Sequence, residues 1–194
     1  MFLAGDHQPA HASREAPLND IDFTTIDPTI RVRLGHDGRP LGAAASARID
    51  RPVADVWAAV VDIERYARHL PMVSRVRRRG DSVTFELKFK LGLFSAGFEF
   101  TADVRYEEER TFEMRWSAGE PRDIRLGFGL TPVDDGKACM VEGDVEFDPT
   151  SLGWLAKFFL KHHPEIQFGV FPGVALVLLD ALRRAVAAAE QANA

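Results

Sequence analysis

Cysteine occurs once in the 194 residues, as Cys139. That excludes an intrachain disulfide and a thiolate-built zinc cage, and it suits a reducing compartment. Positive charge is not in excess either: 24 Lys and Arg against 29 Asp and Glu leave a formal charge of -5. No global field holds such a chain on nucleic acid, so nucleic acid is not expected as a partner. Long apolar runs are missing as well. The greasiest stretch, 170–179, is interrupted by Pro172 and Gly173 and is roughly half of what a membrane span needs, so no transmembrane helix is expected. Residues 1–7 have neither the basic cluster nor the apolar stretch of a secretory signal, and the expected location is the cytoplasm. His162 and His163 are adjacent and cannot share the helix face that metal ligands use. No metal and no cofactor are expected, and Cys139, without a His and Asp partner pattern, reads as a packing residue.

What is present is the composition of a folded domain: 46% hydrophobic and 27% charged residues. The length accommodates one domain and an extension. Residues 1–28 mix Pro, Asp, His and Ala without a period and read as an N-terminal extension, leaving 29–194 as the domain. Ile30, Val32 and Leu34 alternate with arginines, Asp37-Gly38 offers a turn, and a first long strand is expected near 41–50. Pro52 then opens a helical pattern with Val53, Val56, Trp57 and Val60 on one face and Asp50 as a cap. The pattern restarts at Asp62 and stops before Pro71, which predicts two short helices rather than one long one. Trp57 and Tyr66 fall on these helices as packing residues.

From there to residue 148 the period is two. Val83, Phe85, Leu87, Phe89 and Leu91 alternate with Thr84, Glu86, Lys88 and Lys90. The same alternation recurs over 98–106, 112–116, 124–130 and 141–147, with short polar connections that predict an antiparallel meander. Gly127 and Gly129 share one face of their strand and suggest bending. Ser151 is placed to cap a short helix ending at His162, His163 and Pro164. A longer helix follows to about Gln191, started or kinked by Pro172, with Val174, Val177, Leu178, Leu182 and Val186 as its inner stripe. A meander with one apolar face must cover that face, and only the helices are available to do it. The last helix offers mostly Val, Ala, Gly and Leu to a sheet rich in Phe, and small against large leaves room for a cavity.

The run Ala47-Arg48-Ile49-Asp50-Arg51-Pro52-Val53-Ala54-Asp55-Val56-Trp57, followed by Asp62-Ile63-Glu64-Arg65-Tyr66 and Leu70-Pro71, resembles the opening of the START-like (SRPBCC) superfamily. Within it the chain is similar to the polyketide cyclase/dehydrase and coenzyme Q-binding branches, over roughly residues 43–189. The resemblance implies an α+β helix-grip fold: a curved antiparallel sheet wrapped around a long C-terminal helix, with two short helices after the first strand. It also implies a ligand tunnel between sheet and helix, used by relatives for lipids, sterols, quinones or polyketide intermediates.

Because the inward positions are almost all apolar, the expected activity is noncatalytic binding or transport of a lipid or other hydrophobic small molecule, such as a sterol, an isoprenoid or quinone, or a fatty chain. The expected contacts are Phe85, Leu87, Phe89, Phe98, Phe100, Tyr106, Met114, Trp116, Arg122, Leu126, Phe128, Val174 and Leu178. Tyr106 and Arg122 are the polar members, sharing the inward parity of their strands at the ends. No catalytic residue is assigned, since an acid or base inside the apolar space would be needed and the central positions offer none. The alternative is a cyclase or aromatase that uses the same cavity and those two residues. Two surface features are left over. Arg75, Arg77, Arg78 and Arg79 form a basic run that suits a solvated strand end and otherwise an anionic surface or RNA. Residues 152–161, with Leu152, Trp154, Leu155, Phe158 and Phe159 beside Lys157 and Lys161, form an amphipathic stretch expected to lid the tunnel or touch a membrane transiently.

Overall fold

Period-two alternation over the middle of the chain produces a single eight-stranded antiparallel sheet. The computed structural model describes residues 28–91 and 94–193, and the expected N-terminal extension therefore lies almost wholly outside the described residues. The side chains of Phe89, Leu91, Trp154, Leu155 and Phe159 lie outside them too. In chain order the strands are β1 (Thr29–Leu34), β2 (Pro40–Ile49), β3 (Val73–Arg79), β4 (Ser82–Leu91), β5 (Phe94–Glu107), β6 (Thr111–Gly119), β7 (Arg125–Val133) and β8 (Ala138–Glu146). Helices α1 (Val53–Val61) and α2 (Ile63–Ala67) lie between β2 and β3, and α3 (Trp154–His162) and α4 (Gln167–Asn193) follow β8. The sheet order is β1-β2-β8-β7-β6-β5-β4-β3. The last six strands are thus a plain meander, and β2 closes onto β8. Because β2 and β3 stand far apart in that order, α1 and α2 carry the chain across the sheet. This is the helix-grip arrangement.

Register places the large inward residues in cross-strand pairs. Phe85 is opposite Phe100, Val104 opposite Met114, Phe112 opposite Phe128, and Leu126 opposite Val145. The Phe85 and Phe100 rings stack with centroids 5.0 Å apart. Such pairs contribute about 0.5–1.5 kcal/mol beyond the burial itself. On the outward face the partners are polar: Thr84 and Thr101 share a 3.0 Å hydroxyl contact, and Ser82 donates to Asp103 at 2.7 Å.

The two short helices are divided at Asp62, whose carboxylate accepts from the Arg65 N–H at 3.1 Å and caps α2. Two capping expectations are corrected. Asp50 does not cap α1: its carboxylate binds the Arg48 Nε at 2.6 Å, and the capping position is held by Pro52, which offers no side-chain acceptor. Ser151 does not cap α3. It closes a 3-10 turn over Pro149–Ser151 that Asp148 caps, and its hydroxyl donates to the Asp148 carbonyl at 2.6 Å while accepting from the Arg122 N–H at 2.7 Å.

Helix α4 packs most closely on β2 and then on β8. Small, fully buried residues recur on both elements: Ala43, Ala45 and Ala47 on the strand, Ala175, Ala181 and Ala185 on the helix. Phe171, Leu179 and Leu182 fill the flanks at 0–1% exposure. Each contributes roughly 1.5–3 kcal/mol by burial. Pro172 lies inside α4 rather than at its start, and the stretch 164–192 is long and apolar enough to cross a membrane by length and composition. A helix packed on a sheet passes the same test of length and composition, so the stretch is not thereby a membrane span. In the fold this helix occupies the concave side of the sheet.

At the end of β6, Gly119 has a φ of +88°, and a Cβ there would sit 2.1 Å from the Glu99 carbonyl oxygen. Gly119→Ala is therefore expected to destabilise the domain by more than about 2 kcal/mol, from the left-handed backbone and the clash together. Urea denaturation checks this: a midpoint equal to that of the parent protein contradicts it.

Candidate functional site

Between the first half of α4 and the strands β4 to β7 lies a cavity of about 190 Å³. Its floor is Phe85 and Leu87 from β4, Phe100 from β5, Met114 from β6 and Leu126 from β7, and its roof is Val174, Val177 and Leu178 from α4. Tyr66, Leu70 and Met72 close one side where α2 runs into β3, and Pro121, Ile124, Phe147, Leu152 and Val170 form the opposite end. Among the described residues no polar atom reaches the surface of this space.

Among the described lining residues Tyr66 alone has an oxygen or nitrogen in its side chain, and that atom is committed elsewhere. Its hydroxyl donates to the Leu178 carbonyl oxygen at 3.0 Å, and its ring meets Phe128 edge-on at 5.7 Å between centroids. Burial pushes the phenol well above its ordinary value, so it stays neutral. A neutral hydroxyl already bonded to the backbone ties α2 to α4 and presents only hydrocarbon to the cavity.

Seven of the residues expected to contact a ligand line the cavity: Phe85, Leu87, Phe100, Met114, Leu126, Val174 and Leu178. Five others do not, each for a local reason. Phe128 is buried behind the Tyr66 ring. Phe98 packs half-buried against the core beyond the cavity. Trp116 stands beside a register shift between β5 and β6 and turns its indole N–H to the Gly119 carbonyl at 3.0 Å. Tyr106 shares the inward parity but lies at the far end of β5, 58% exposed, against the edge of Trp57. Arg122 sits in the loop before β7, half-exposed, with its guanidinium 3.8 Å from Asp148. The Phe89 side chain lies outside the described residues.

Sequence periodicity missed the closing residues. Tyr66 reads as packing on an amphipathic helix, and nothing in alternation marks Leu70, Met72 or Pro121, which belong to turns; Leu152 belongs to the stretch expected to lid the tunnel, and it lines the cavity. The Leu70-Pro71 pair belongs to the family-like opening and was the one available signal. Among the other residues singled out, Cys139 is fully buried, and burial raises its thiol above the usual range, unlike a nucleophile. Arg77 bridges Glu86 at 3.0 Å and Glu99 at 2.8 Å, and Arg78 donates to the Gly80 carbonyl at 3.1 Å, so half of the basic run serves the sheet edge. His162 stacks edge-on against Phe158, and His163 contacts Glu165 at 3.0 Å.

The family model described as "Polyketide cyclase / dehydrase and lipid transport" matches residues 42–167. No curated protein sequence matches the chain. Among solved structures, a protein of Thermus thermophilus aligns with a TM-score of 0.57 and 16% identity, over 75% of this chain and 97% of its own. A START superfamily protein from Mycobacterium smegmatis aligns with a TM-score of 0.55 and 15% identity, over 74% and 94%. Protein Ms6760 from the same organism aligns at 0.52 and 14% identity, over 86% and 99%. At such identities these likenesses speak to the fold alone.

The Tyr66 phenol makes a pH prediction. Below its ordinary value near 10 it is neutral in the folded and unfolded chain alike, and its contribution to stability is complete. Above that value the unfolded chain ionises while the folded one does not, so stability falls as pH rises, by about 1.4 kcal/mol per pH unit until the raised folded value is reached. Tyr66→Phe is expected to lose about 1 kcal/mol at neutral pH and to lack this alkaline slope. Denaturation midpoints between pH 8 and 11 measure both, and equal slopes in the two proteins contradict the assignment.

Proposed function

The chain belongs to the polyketide cyclase/dehydrase and lipid transport family, and from that premise we propose that it binds and carries an apolar small molecule in the cavity beneath α4 without transforming it. The observation that carries the proposal is the wall: among the described residues every atom facing the space is hydrocarbon, aromatic carbon or thioether sulfur. A ligand there is held by desolvation and shape, each buried methylene contributing about 0.8 kcal/mol.

Size narrows the ligand. At about 190 Å³ the space is a little larger than the roughly 150 Å³ apolar void that remains dry and accepts a benzene ring, and smaller than the roughly 300–1,000 Å³ of common ligand pockets. A single ring or a short length of chain fits within it. Among hydrophobic ligands this favours one that enters end-first, a fatty or isoprenoid chain, over a fused-ring sterol. Cyclase chemistry needs a group that moves a proton or polarises a carbonyl at the substrate. Tyr106 and Arg122, on which that alternative rests, stand outside the cavity, and the Tyr66 hydroxyl is turned away from it. The wall weighs against it.

Native mass spectrometry of the purified protein with an added series of fatty acids and short isoprenoids is expected to show one-to-one uptake. Val174→Phe, which places a ring into the void, is expected to weaken that uptake at least tenfold while leaving the thermal midpoint near that of the parent. A protein that takes up no apolar probe, or a variant that binds as well as the parent, overturns the proposal.

A further inference from the structure

In an acidic chain, one stretch is free of acid. From Pro149 to Pro164 there is no Asp or Glu, and from Ile166 to Leu179 there is no charge of either sign. Lys157 and Lys161 are the charged residues of α3. At 3.6 residues per turn, Lys157, Lys161, Phe158 and His162 fall within an arc of about 140°. All four are exposed. Next to this arc, the chain entering α4 carries Ile166 at 42% and Phe168 at 49% exposure, and Phe158 itself is 52% exposed. Three of the exposed large apolar side chains among the described residues therefore lie within one short segment, mixed with cations.

The segment is continuous with the cavity. Leu152, just before α3, and Val170, two residues beyond Phe168, both line the space under α4. Exposed apolar residues at the end of a ligand cavity, with two lysines and no carboxylate on α3 and the one acid of the segment, Glu165, paired with His163 at 3.0 Å, match the chemistry of one surface in particular: an anionic lipid bilayer, which accepts aromatic side chains at its headgroup boundary and attracts lysine.

We propose that α3 and the first turn of α4 form a docking surface for an anionic bilayer, placing the cavity's α3 end against the lipid from which its ligand comes. The inference rests on the proposed binding of an apolar ligand in that cavity. Charge complementarity selects the bilayer over a second copy of the chain, since the exposed arc of α3 would face its own lysines in a symmetric contact.

Vesicle flotation tests it, with vesicles of phosphatidylcholine alone and of phosphatidylcholine containing about 30% phosphatidylserine, in low and high salt. The protein is expected to float with the anionic vesicles at low salt and to be released by high salt. Lys157→Ala/Lys161→Ala is expected to weaken that binding roughly 30-fold, about fivefold for each lysine. Phe168→Ser is expected to weaken it as well, with the thermal midpoint of both variants unchanged. Fatty-acid uptake by native mass spectrometry is expected to be the same in all three proteins, because none of the substituted residues lines the cavity.

Equal flotation with neutral and anionic vesicles, or no effect of the double lysine variant, overturns the docking surface. So does concentration-dependent dimerisation abolished by Phe168→Ser without vesicle binding, which assigns the face to a second copy. Intact fatty-acid uptake with no flotation sinks docking alone. Absence of uptake in the parent protein removes the cavity reading on which docking depends.

Discussion

The distance between α4 and the sheet governs the rest of this molecule, and it is not the same along the sheet. The helix packs on β2 and β8, whose fully buried residues include Ala43, Ala45 and Ala47. Over β4 to β7 the first half of α4 instead faces Phe85, Leu87, Phe100, Met114 and Leu126 across the cavity. A rigid helix seated on one part of a curved sheet does not fill the space over the rest of it. Interiors tolerate few such voids because each forfeits contacts on every wall. A wall built of residues that bond to nothing but each other is one that an apolar guest can complete.

Tyr66 holds that arrangement in place. Its ring forms part of the cavity side, its edge packs against Phe128 of β7, and its hydroxyl reaches the Leu178 carbonyl of α4. Three elements meet on one side chain, and the polar atom that makes the link is spent on the backbone. The cavity keeps its hydrocarbon surface because the single hydroxyl in its lining has another partner. A wall of this kind discriminates by volume and by the cost of burying polar groups without partners, which excludes hydrophilic molecules more strongly than it distinguishes one apolar ligand from another.

The outer face of the sheet obeys different physics. Arg33 pairs with Asp144 and Glu146 across β1 and β8, and Arg77 joins β3 to β4 and β5. Exposed pairs of this sort contribute about 0–1 kcal/mol each. They keep the convex face in water and the strands in register, while stability comes from the inward residues. At the α3 end the pattern differs: exposed Phe158, Ile166 and Phe168 lie in one segment with Lys157 and Lys161.

Alternation alone determined the sheet: strands around Val83 to Leu91, 98–106, 112–116, 124–130 and 141–147 were legible because a half-buried strand must repeat every two residues and its turns must be polar. The division of the two short helices at Asp62 was legible for the same local reason, and so were the cavity residues at the centres of strands, where parity means depth. Parity ceases to mean depth at strand ends and beside irregularities. Tyr106 and Trp116 share the inward sequence position and not the inward place, one because that end of β5 stays largely open to solvent beside Trp57, the other because a register shift turns it toward Gly119. Only the tertiary structure could bring Leu70, Met72 and Pro121 to the two ends of one cavity, since turn residues have no period to betray their facing. The void itself follows from where α4 comes to rest, and that position is a balance among side chains from separate strands that no stretch of sequence contains.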